Sequence, residues 1–440
     1  MTSAEPENVV RLQVRTDEKF LPVVISFVEK GAELFGPAQT QGTELALAIE
    51  EIFAYLCKAD RNAQVVDIRC LGGGYYIRID FFLSTRAFNM RAFNLTASVS
   101  VGDEGGMEEM GLRIASRLVD RLEFTEADGR GARLSLVKEK AYPAMLKTDS
   151  IQACPLKSFR VTAPIQEDLK RAAHLITRTY PPQLIPSFFR FPGKVADMVA
   201  GGEYRAVVAK GDGDRLGGCI LWHWYGVKTV ECFGPYIFNQ PSPHPMAEEL
   251  IDACIGDIAK TQAVCLINQY PTDELPLKHF ERLGGWMGFL PEGTRITRTA
   301  YFRQMKEDPG TSVWCHPDLE SFLQKEYRRL FLPREILTVR DFGESMPAFS
   351  VLWTEFDRPQ AQATLRPLQF GSDAKENLNK HLRLLTEEPA ISVFFFMDLA
   401  HPRQTLFTPY LLNQRFQPKA VLPYAGDGDV VIFQLNESET

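Results

Sequence analysis

The feature that most constrains the N-terminal fold is an amphipathic segment between residues 45 and 56. Apolar side chains recur there at intervals of three and four residues, which predicts a helix with one continuous apolar stripe. The stripe consists of Leu45, Ile49, Ile52, Phe53 and Leu56. Ala48, Glu51 and Tyr55 share the adjacent face. Since Glu51 and Tyr55 are four residues apart, both side chains can point into one pocket.

The elements that follow this helix have a definite order. Two strands joined by the glycines at 72–74 lead into YIRIDFFLSTRAFN (76–89), a helix starts near EMGLRIASRLVDRLEF (109–124), and RLSLVKE (133–139) is a last strand. Over about residues 15–140 this order resembles the GHKL ATPase domain of anti-sigma-factor serine kinases. The resemblance implies an α/β sandwich and assigns Glu51 to the glutamate that activates water or the acceptor hydroxyl.

The same resemblance implies that the nucleotide pocket is degenerate. Tyr55 stands where the family has its magnesium-ligand asparagine, and a phenol with a pKa of about 10 is a poor ligand for this cation. Leu83 replaces the aspartate that would hold adenine, and Thr85 replaces the following glycine. Gly111 is kept at the phosphate-binding helix start, but the first glycine there is Glu109, whose carboxylate would repel phosphate.

A change of pattern divides the chain after this domain. The segment 141–157 contains two prolines and small polar residues, so it is predicted to be a linker between a domain at 1–140 and a second domain at 158–305. A hairpin at 204–226, a strand at 229–238, a helix at 246–260, a strand at 264–270 and a helix at 275–289 are predicted for the second domain. This order resembles the GNAT acyltransferases.

GNAT enzymes bind the diphosphate of CoA on backbone N–H groups of a glycine-containing turn at a helix start. The corresponding segment here is NQPSPHPM (239–246), which has no glycine and three prolines that lack N–H groups. The resemblance assigns five residues to this degenerate CoA loop: Asn239, Gln240, Ser242, His244 and Met246.

The family's usual acid is absent as well, because the tyrosine that often protonates the departing thiolate aligns with Phe280. Glu231 on the central strand is a candidate general base, and His279 is a candidate acid. The alternative for each is a purely structural role, as a carboxylate at a strand end and a histidine at the surface.

The remaining residues, 306–440, are predicted to form a second, truncated GNAT-like domain. The expected elements are a helix at 313–336, strands near 348–355 and 391–398, helices near 373–388 and 404–415, and a final strand pair. The fold class is therefore α/β (α+β): a GHKL-like sandwich followed by two mixed-sheet domains. The whole chain resembles bacterial proteins that fuse an ATPase-like domain to GNAT modules.

Composition excludes several classes of function. A net charge of −7 argues against an extended nucleic-acid surface. The eight cysteines and seven histidines are scattered without metal-ligand spacing, so we expect reduced core thiols and no metal. No apolar run is long enough for a membrane span, and the polar N-terminus is not a signal peptide, which predicts a cytoplasmic protein without membrane contact.

Two functions compete on this basis. The first is a regulatory or signalling binding protein, a pseudoenzyme without cofactors, that docks a protein partner resembling an anti-sigma antagonist or binds a small molecule, and that forms a homodimer as anti-sigma kinases do. The second is a CoA-dependent N-acyltransferase with a diverged CoA loop. Residual ATP or acetyl-CoA binding stays open, and an active serine kinase is a third alternative. The proline-rich loop favours the first function.

Overall fold

The computed structural model describes residues 8–36, 39–59, 64–83, 90–96, 104–127, 131–145, 153–241, 244–289, 294–340, 345–387 and 391–436. Helices and mixed sheets alternate, which confirms the predicted α/β class. The chain divides into two compact units, Met1–Pro143 and Ala144–Thr440, so the second and third predicted domains lie in one unit.

Unit 1 has one five-stranded antiparallel sheet, the N-terminal sheet, with strand order β1-β2-β3-β5-β4. Its helices and strands, in chain order, are β1 (Val9–Arg15), α1 (Leu21–Phe35), α2 (Gln39–Ala59), β2 (Val65–Gly72), β3 (Tyr76–Leu83), α3 (Glu104–Leu118), β4 (Arg121–Ala127) and β5 (Gly131–Glu139).

Helix α2 supplies the core of unit 1, as its apolar spacing predicts. All five residues of the stripe are buried, and so are Ala48 and Tyr55. Alternate residues of β3, among them Ile77, Ile79 and Phe81, are fully buried, as expected for a strand with one face against helices. Helix α1 lies close to β2, because a Cβ atom at Gly31 would come within 2.5 Å of the Cys70 sulfur.

The start of α3 differs from the prediction. The helix begins at Glu104, so Glu109 and Gly111 lie beyond its first turn and not at its N-terminus. The four unpaired N–H groups of a helix belong to its first turn only. The expected phosphate position at residues 109–111 is therefore wrong for this helix.

Unit 2 begins with a seven-stranded sheet, the central sheet, in the order β11-β12-β10-β9-β8-β7-β6. Its elements are β6 (Arg160–Thr162), α4 (Gln166–Thr179), α5 (Pro192–Ala200), β7 (Tyr204–Lys210), β8 (Leu216–Trp224), β9 (Thr229–Ile237), α6 (Met246–Ile258), β10 (Cys265–Asn268), β11 (Glu281–Phe289) and β12 (Arg295–Gln304). Helices α4 and α5 cover one face, and α6 covers the other.

One strand pair of the central sheet is parallel. β10 pairs with β9 over three positions, the last of which joins Ile267 to Glu231. Beyond this point the side chain of Asn268 bridges the strands and donates a hydrogen bond to the Gly234 carbonyl at 2.8 Å. Glu231 therefore lies where the backbone pairing of the two strands ends.

The segment 275–289 was expected to be helical, and this prediction is wrong. It contains a short 3-10 turn, Leu277–His279, followed by strand β11. Three glycines, Gly284, Gly285 and Gly288, disfavour a helix by roughly 1 kcal/mol each relative to alanine. The segment instead gains the antiparallel ladder with β12.

The C-terminal part adds a parallel pair and a second sheet. Its elements are β13 (Thr311–Cys315), α7 (Pro317–Arg329), β14 (Arg334–Thr338), β15 (Val351–Asp357), β16 (Gln362–Gln369), α8 (Ala374–Thr386), β17 (Ser392–Asp398), α9 (Pro402–Thr405), α10 (Thr408–Asn413), β18 (Phe416–Leu422) and β19 (Val430–Leu435). The helix predicted over 313–336 is thus shorter, because Pro317 starts it and both flanks pair as strands.

The C-terminal sheet, β15-β16-β17-β19-β18, repeats the strand order of β8-β9-β10-β12-β11. Each series has an antiparallel pair, a parallel pair and two further antiparallel pairs. Each parallel pair is joined by one helix, α6 or α8. This repeat was expected from the order of elements in the sequence.

Side-chain amides join the two sheets of unit 2. Gln434 bonds to both backbone groups of Met287 on edge strand β11, accepting from N–H at 2.9 Å and donating to C=O at 2.6 Å. Gln360 donates to the carbonyls of Pro182 and Ile185 at 2.6 and 2.9 Å. A Cβ at Gly284 would lie 2.5 Å from that of Ala420, so β11 and β18 are in close contact.

A buried ionic network lies in the C-terminal part of unit 2. Arg334, with a side chain 0% exposed, pairs with Asp308 at 2.7 Å and with Asp429 at 2.8 Å. Burial alone would raise the pKa of Asp308, but hydrogen bonds from Tyr424 and Arg334 hold it below its usual value. Asp308 therefore keeps its charge although its side chain is buried, because a cation and hydrogen-bond donors lie beside it.

Replacement of Arg334 tests this network. Arg334→Met leaves two buried carboxylates without their cation, so we expect a loss of about 3–5 kcal/mol in the free energy of unfolding of unit 2. All five tryptophans lie in unit 2, so urea denaturation followed by tryptophan fluorescence reports this unit alone. The control is Lys278→Ala, which breaks an exposed pair with Glu248 and should change little. Equal stability of the two variants would contradict the expectation.

Candidate functional site

Glu231 is the centre of the candidate site. Its side chain is 4% exposed and lies at the end of the β9–β10 pairing. Gln269 Nε2 donates a hydrogen bond to Glu231 Oε1 at 2.9 Å, and His223 Nε2 lies 3.2 Å from Oε2. A buried carboxylate held in this way can take a proton from a group in the adjoining space, with His223 as a neighbouring exchange partner.

The strand register produces this arrangement. His223 on β8 lies opposite Tyr204 on β7 and opposite Glu231 on β9. Directly opposed residues of antiparallel strands point to the same face, so the three side chains form a row. The imidazole of His223 stacks on the Tyr204 ring at a centroid distance of 4.5 Å and lies nearly parallel to Phe233 at 5.5 Å. The histidine is thus fixed in orientation.

A cleft opens next to Gln269, between the central and C-terminal sheets. Its volume is about 30 Å³, and it is lined by residues of both, among them Gln269, Tyr270, Trp286, Arg298, Gln362 and Phe394. Burial raises the pKa of Tyr270, so its hydroxyl stays protonated at neutral pH and can donate a hydrogen bond. Gln269 connects this cleft to Glu231, because its side chain lines the cleft and donates a hydrogen bond to the Glu231 carboxylate.

His279 was the second catalytic candidate, and the structure does not bring it to Glu231. The residue after it, Phe280, belongs to the buried cluster against α6, together with Val230 and Cys232. Glu231 lies between these two in sequence and points to the opposite face of the strand. The carbonyl of His279 accepts a hydrogen bond from Arg303, again away from the cleft.

The residues assigned to the CoA loop are bonded within the protein. Asn239 donates to the Ala153 carbonyl at 2.9 Å. Gln240 accepts from Leu156 N–H at 2.9 Å and donates to the carbonyls of Cys154 and Phe238. Leu156 is itself buried beside α6, although it lies in the predicted linker. These side chains therefore fasten the end of that segment to the central sheet.

The beginning of α6 is poorly suited to an anion. The Met246 N–H donates to His244 Nδ1, the Met246 side chain is buried, and the N-cap residue is Pro245. Glu248 and Glu249 place two carboxylates in the first turn, where their negative charges oppose the binding of an anionic ligand. Ser242 lies outside the described residues.

In unit 1 the structure brings two predicted site residues together. A Cβ atom at Gly111 would come within 2.2 Å of Glu51 Oε2, so the carboxylate of α2 lies directly against the backbone of α3. Leu83 is buried at the end of β3, in line with the apolar residues that face the helices. Thr85 and the side chain of Glu109 lie outside the described residues.

One cluster of metal-ligand types occurs that the sequence did not indicate. Ligand atoms of Asp398, His401 and Asp427 lie within 4.8 Å of one another. Asp398 accepts hydrogen bonds from the backbone N–H groups of Ala400, Asp427 and Gly428. These backbone hydrogen bonds account for the position of the Asp398 carboxylate within its loop.

Among the described residues, no helix is long and apolar enough to cross a membrane.

Part of the chain is similar in fold to acetyltransferases of known structure. An aminoglycoside 6'-N-acetyltransferase complexed with coenzyme A matches 34% of this chain and 99% of its own, at 15% identity and a TM-score of 0.28. A GNAT superfamily phosphinothricin acetyltransferase from Sinorhizobium meliloti, complexed with acetyl-CoA, matches 33% and 88%, at 14% identity and 0.27. An acetyltransferase of the GNAT family from Staphylococcus aureus Mu50 matches 34% and 100%, at 12% and 0.26.

No protein-family model matches the chain, and no curated protein does. The likeness to the solved structures concerns the fold of about a third of the chain, and it carries no statement on activity.

Sequence reasoning found Glu231 but missed His223, Gln269, Tyr270 and Arg298. His223 could have been found from the hairpin of β8 and β9, since the turn at 225–228 fixes the register in which His223 lies opposite Glu231. Arg298 could have been found as the charged residue on the apolar face of β12, whereas Gln269 and Tyr270 depend on contacts distant in sequence.

Removal of the Gln240 side chain tests whether the loop is structural. Gln240→Ala leaves the N–H of Leu156 without its partner, so we expect a loss of about 1–3 kcal/mol in the unfolding free energy of unit 2. Tryptophan fluorescence in urea measures it. Gln324→Ala is the control, since Gln324 is exposed and bonds to Glu320 one turn away. An unchanged unfolding free energy of the Gln240 variant would show that the hydrogen bonds of Gln240 do not stabilise the fold.

Proposed function

We propose that residues 158–305, with the attached segment 153–156, act as an acyltransferase in which Glu231 is the general base. The observation that carries this proposal is the buried Glu231 carboxylate, which Gln269 and His223 hold in place where β9 and β10 separate. Gln269 also lines the cleft, so one side chain lies between the carboxylate and the cleft. Glutamate is rarely buried unless it is paired, and the partners of Glu231 hold its carboxylate beside the cleft.

The reaction would be transfer of an acyl group from a CoA thioester to an amine. The amine nitrogen attacks the thioester carbonyl, the C–N bond forms, and the C–S bond breaks. Glu231 accepts the proton that the nitrogen loses, the thiolate leaves and takes a proton from water, and Glu231 returns its proton to the solvent. Gln269 and His223 keep the carboxylate in place during this step.

The loop 239–246 limits how the donor binds. Its described side chains are bonded to the protein, and three of its residues are prolines. Each lost hydrogen bond to a phosphate removes roughly 1.5–3 kcal/mol. We therefore propose that acetyl-CoA binds at least two orders of magnitude more weakly than it would to a glycine-containing turn.

Substitution of the base is the direct test. Glu231→Gln keeps the size and most hydrogen bonds of the side chain but cannot accept the proton, so kcat should fall by about 10²–10⁴-fold. Release of free CoA from acetyl-CoA, measured with a thiol reagent over a panel of amines, and the mass of the product give the rate. Glu281→Gln on β11 is the control, because this carboxylate is exposed.

Failure of the wild-type protein to acylate any amine would refute the proposal, as would equal turnover by the Glu231→Gln variant.

A second candidate is a regulatory binding protein with a degenerate GHKL-like domain in residues 1–140. The close contact of Glu51 with Gly111, the burial of Tyr55 and the internal bonding of Asn239 and Gln240 favour it. In this form the protein would dock a protein partner resembling an anti-sigma antagonist or pair with itself, and the GNAT-like parts, including 306–440, would serve as binding surfaces.

Titration with nucleotide separates the candidates for unit 1. We expect no magnesium-dependent ATP binding at micromolar concentration, because Tyr55 and Leu83 occupy the positions of two contacting residues and residues 109–111 lie beyond the first turn of α3. Isothermal titration calorimetry measures it. The variants Tyr55→Asn and Leu83→Asp, alone or together, should not regain binding, since residues 109–111 do not present the N–H groups of a helix start. Micromolar affinity of the wild-type chain would exclude a degenerate pocket.

A further inference from the structure

Arg298 is a buried cation without a direct ionic partner among the described residues. It lies on β12 opposite Trp286 of β11, so both side chains reach the same face and line the cleft. The side chain is 7% exposed, which is rare for arginine unless it is paired. Nη2 donates to Oε1 of Gln360, which is a neutral partner, and the buried Nε has no hydrogen-bond partner in the described part of the chain. The guanidinium therefore has donors left for a further partner.

The carboxylate that acts on this charge is shared with a second arginine. Asp357 acts on Arg298 through space, and no direct ion pair joins the two side chains in the part of the chain that the structure describes. The charge of Arg190 acts on Asp357 as well. One carboxylate is thus shared by two guanidinium groups, which leaves positive charge at the buried Arg298 that an anion can balance.

The cleft has room for a small ion and for little else. Its volume is about 30 Å³, and roughly 10–15 Å³ is enough for one water molecule. The rings of Trp286 and Phe394, with centroids 6.4 Å apart, form a buried apolar wall. Gln269, Gln362 and Phe396 are only partly buried, so the cleft opens on their side. An ion of the size of chloride fits this space.

The polar groups around the cleft include further hydrogen-bond donors. The Tyr270 hydroxyl keeps its proton, since burial raises its pKa. Gln362 donates one amide N–H to the Thr364 hydroxyl, which leaves its second N–H for another acceptor. None of the described residues that line the cleft carries a carboxylate. A site with one cation, neutral donors and no carboxylate favours an anion over a cation.

We propose that the cleft is a binding site for one small monovalent anion of the size of chloride, which pairs with the Arg298 guanidinium. The Tyr270 hydroxyl and the Gln362 amide line the same space and would donate to the ion. Arg298 belongs to the central sheet and Gln362 to the C-terminal sheet, so the ion would join the two sheets. This inference does not rest on the proposed acyltransferase activity.

Thermal unfolding in two salts tests the site on the full chain. Sodium gluconate is replaced stepwise by sodium chloride at constant ionic strength, and tryptophan fluorescence reports the unfolding of unit 2. Gluconate is too large for the cleft, so only chloride can stabilise the folded state through it. At a chloride concentration of about ten times Kd, we expect a saturable rise of roughly 2–4 °C in the melting temperature. Equal melting temperatures in both salts, or a rise that does not saturate, would overturn the proposal and leave the cleft to water.

Two arginine variants locate the effect. Arg298→Gln removes the cation, so the saturable rise should disappear. Arg303→Gln is the matched control on the same strand and should keep the rise, because Arg303 donates to the His279 carbonyl away from the cleft. A saturable rise that survives in the Arg298 variant, or that is lost equally in both variants, would count against the proposed contact.

Quenching by bromide gives a second test that needs no variant to fold. Bromide is close to chloride in size and quenches tryptophan emission on contact, and Trp286 forms one wall of the cleft. We expect a saturable quenching component that chloride displaces, in addition to linear quenching of the exposed Trp224. Quenching that is linear throughout and insensitive to chloride would refute anion binding beside Trp286.

Discussion

The amide of Gln434 and the backbone of Met287 form the contact on which the arrangement of unit 2 depends. Strand β11 is the edge of the central sheet, and an edge strand presents unpaired N–H and C=O groups. Gln434, 4% exposed, satisfies both groups of Met287 at once. The C-terminal sheet is thereby held against edge strand β11. The cleft lies at this contact, between side chains of the central sheet and side chains of the C-terminal sheet.

Gln360 makes a second contact between the C-terminal part of unit 2 and the part that contains the central sheet. It donates to two carbonyls of the segment between α4 and α5 and accepts from Arg298. A glutamine in this position has all of its polar groups in use, which is the condition for burying it without a penalty. The site therefore combines local parts, such as the Glu231 row, with parts that depend on residues far away in sequence.

The sequence predicted elements whose signal is local. The α2 stripe, the hairpins of β7 to β9 and the repeated order of strands and helices all follow from apolar spacing and turn residues. It failed at 275–289, where Leu277, Phe280 and Leu283 have helical spacing but the glycines after them favour the ladder with β12. It also misplaced the start of α3, whose first turn at residues 104–107 has no apolar pattern.

The site was predictable only in part, for the same reason. Glu231 is recognisable as a carboxylate within an apolar strand, because such a residue interrupts the pattern. Arg298 is recognisable in the same way, since it shares a face of β12 with Ile296, Ala300 and Phe302 and interrupts their apolar pattern. Its partner Gln360 is distant in sequence, and no local pattern indicates that contact.

The repeated strand order has unequal consequences for the two sheets. In the central sheet the last paired position of the parallel strands carries Glu231, whereas the last paired position of β16 and β17 joins Leu365 to Phe395. Leu365 is fully buried and has no group that can transfer a proton. The two sheets therefore repeat one topology but differ at this position, which carries a carboxylate in the central sheet and an aliphatic side chain in the C-terminal sheet. A repeated strand order thus fixes where such a side chain lies and leaves its chemistry free to differ.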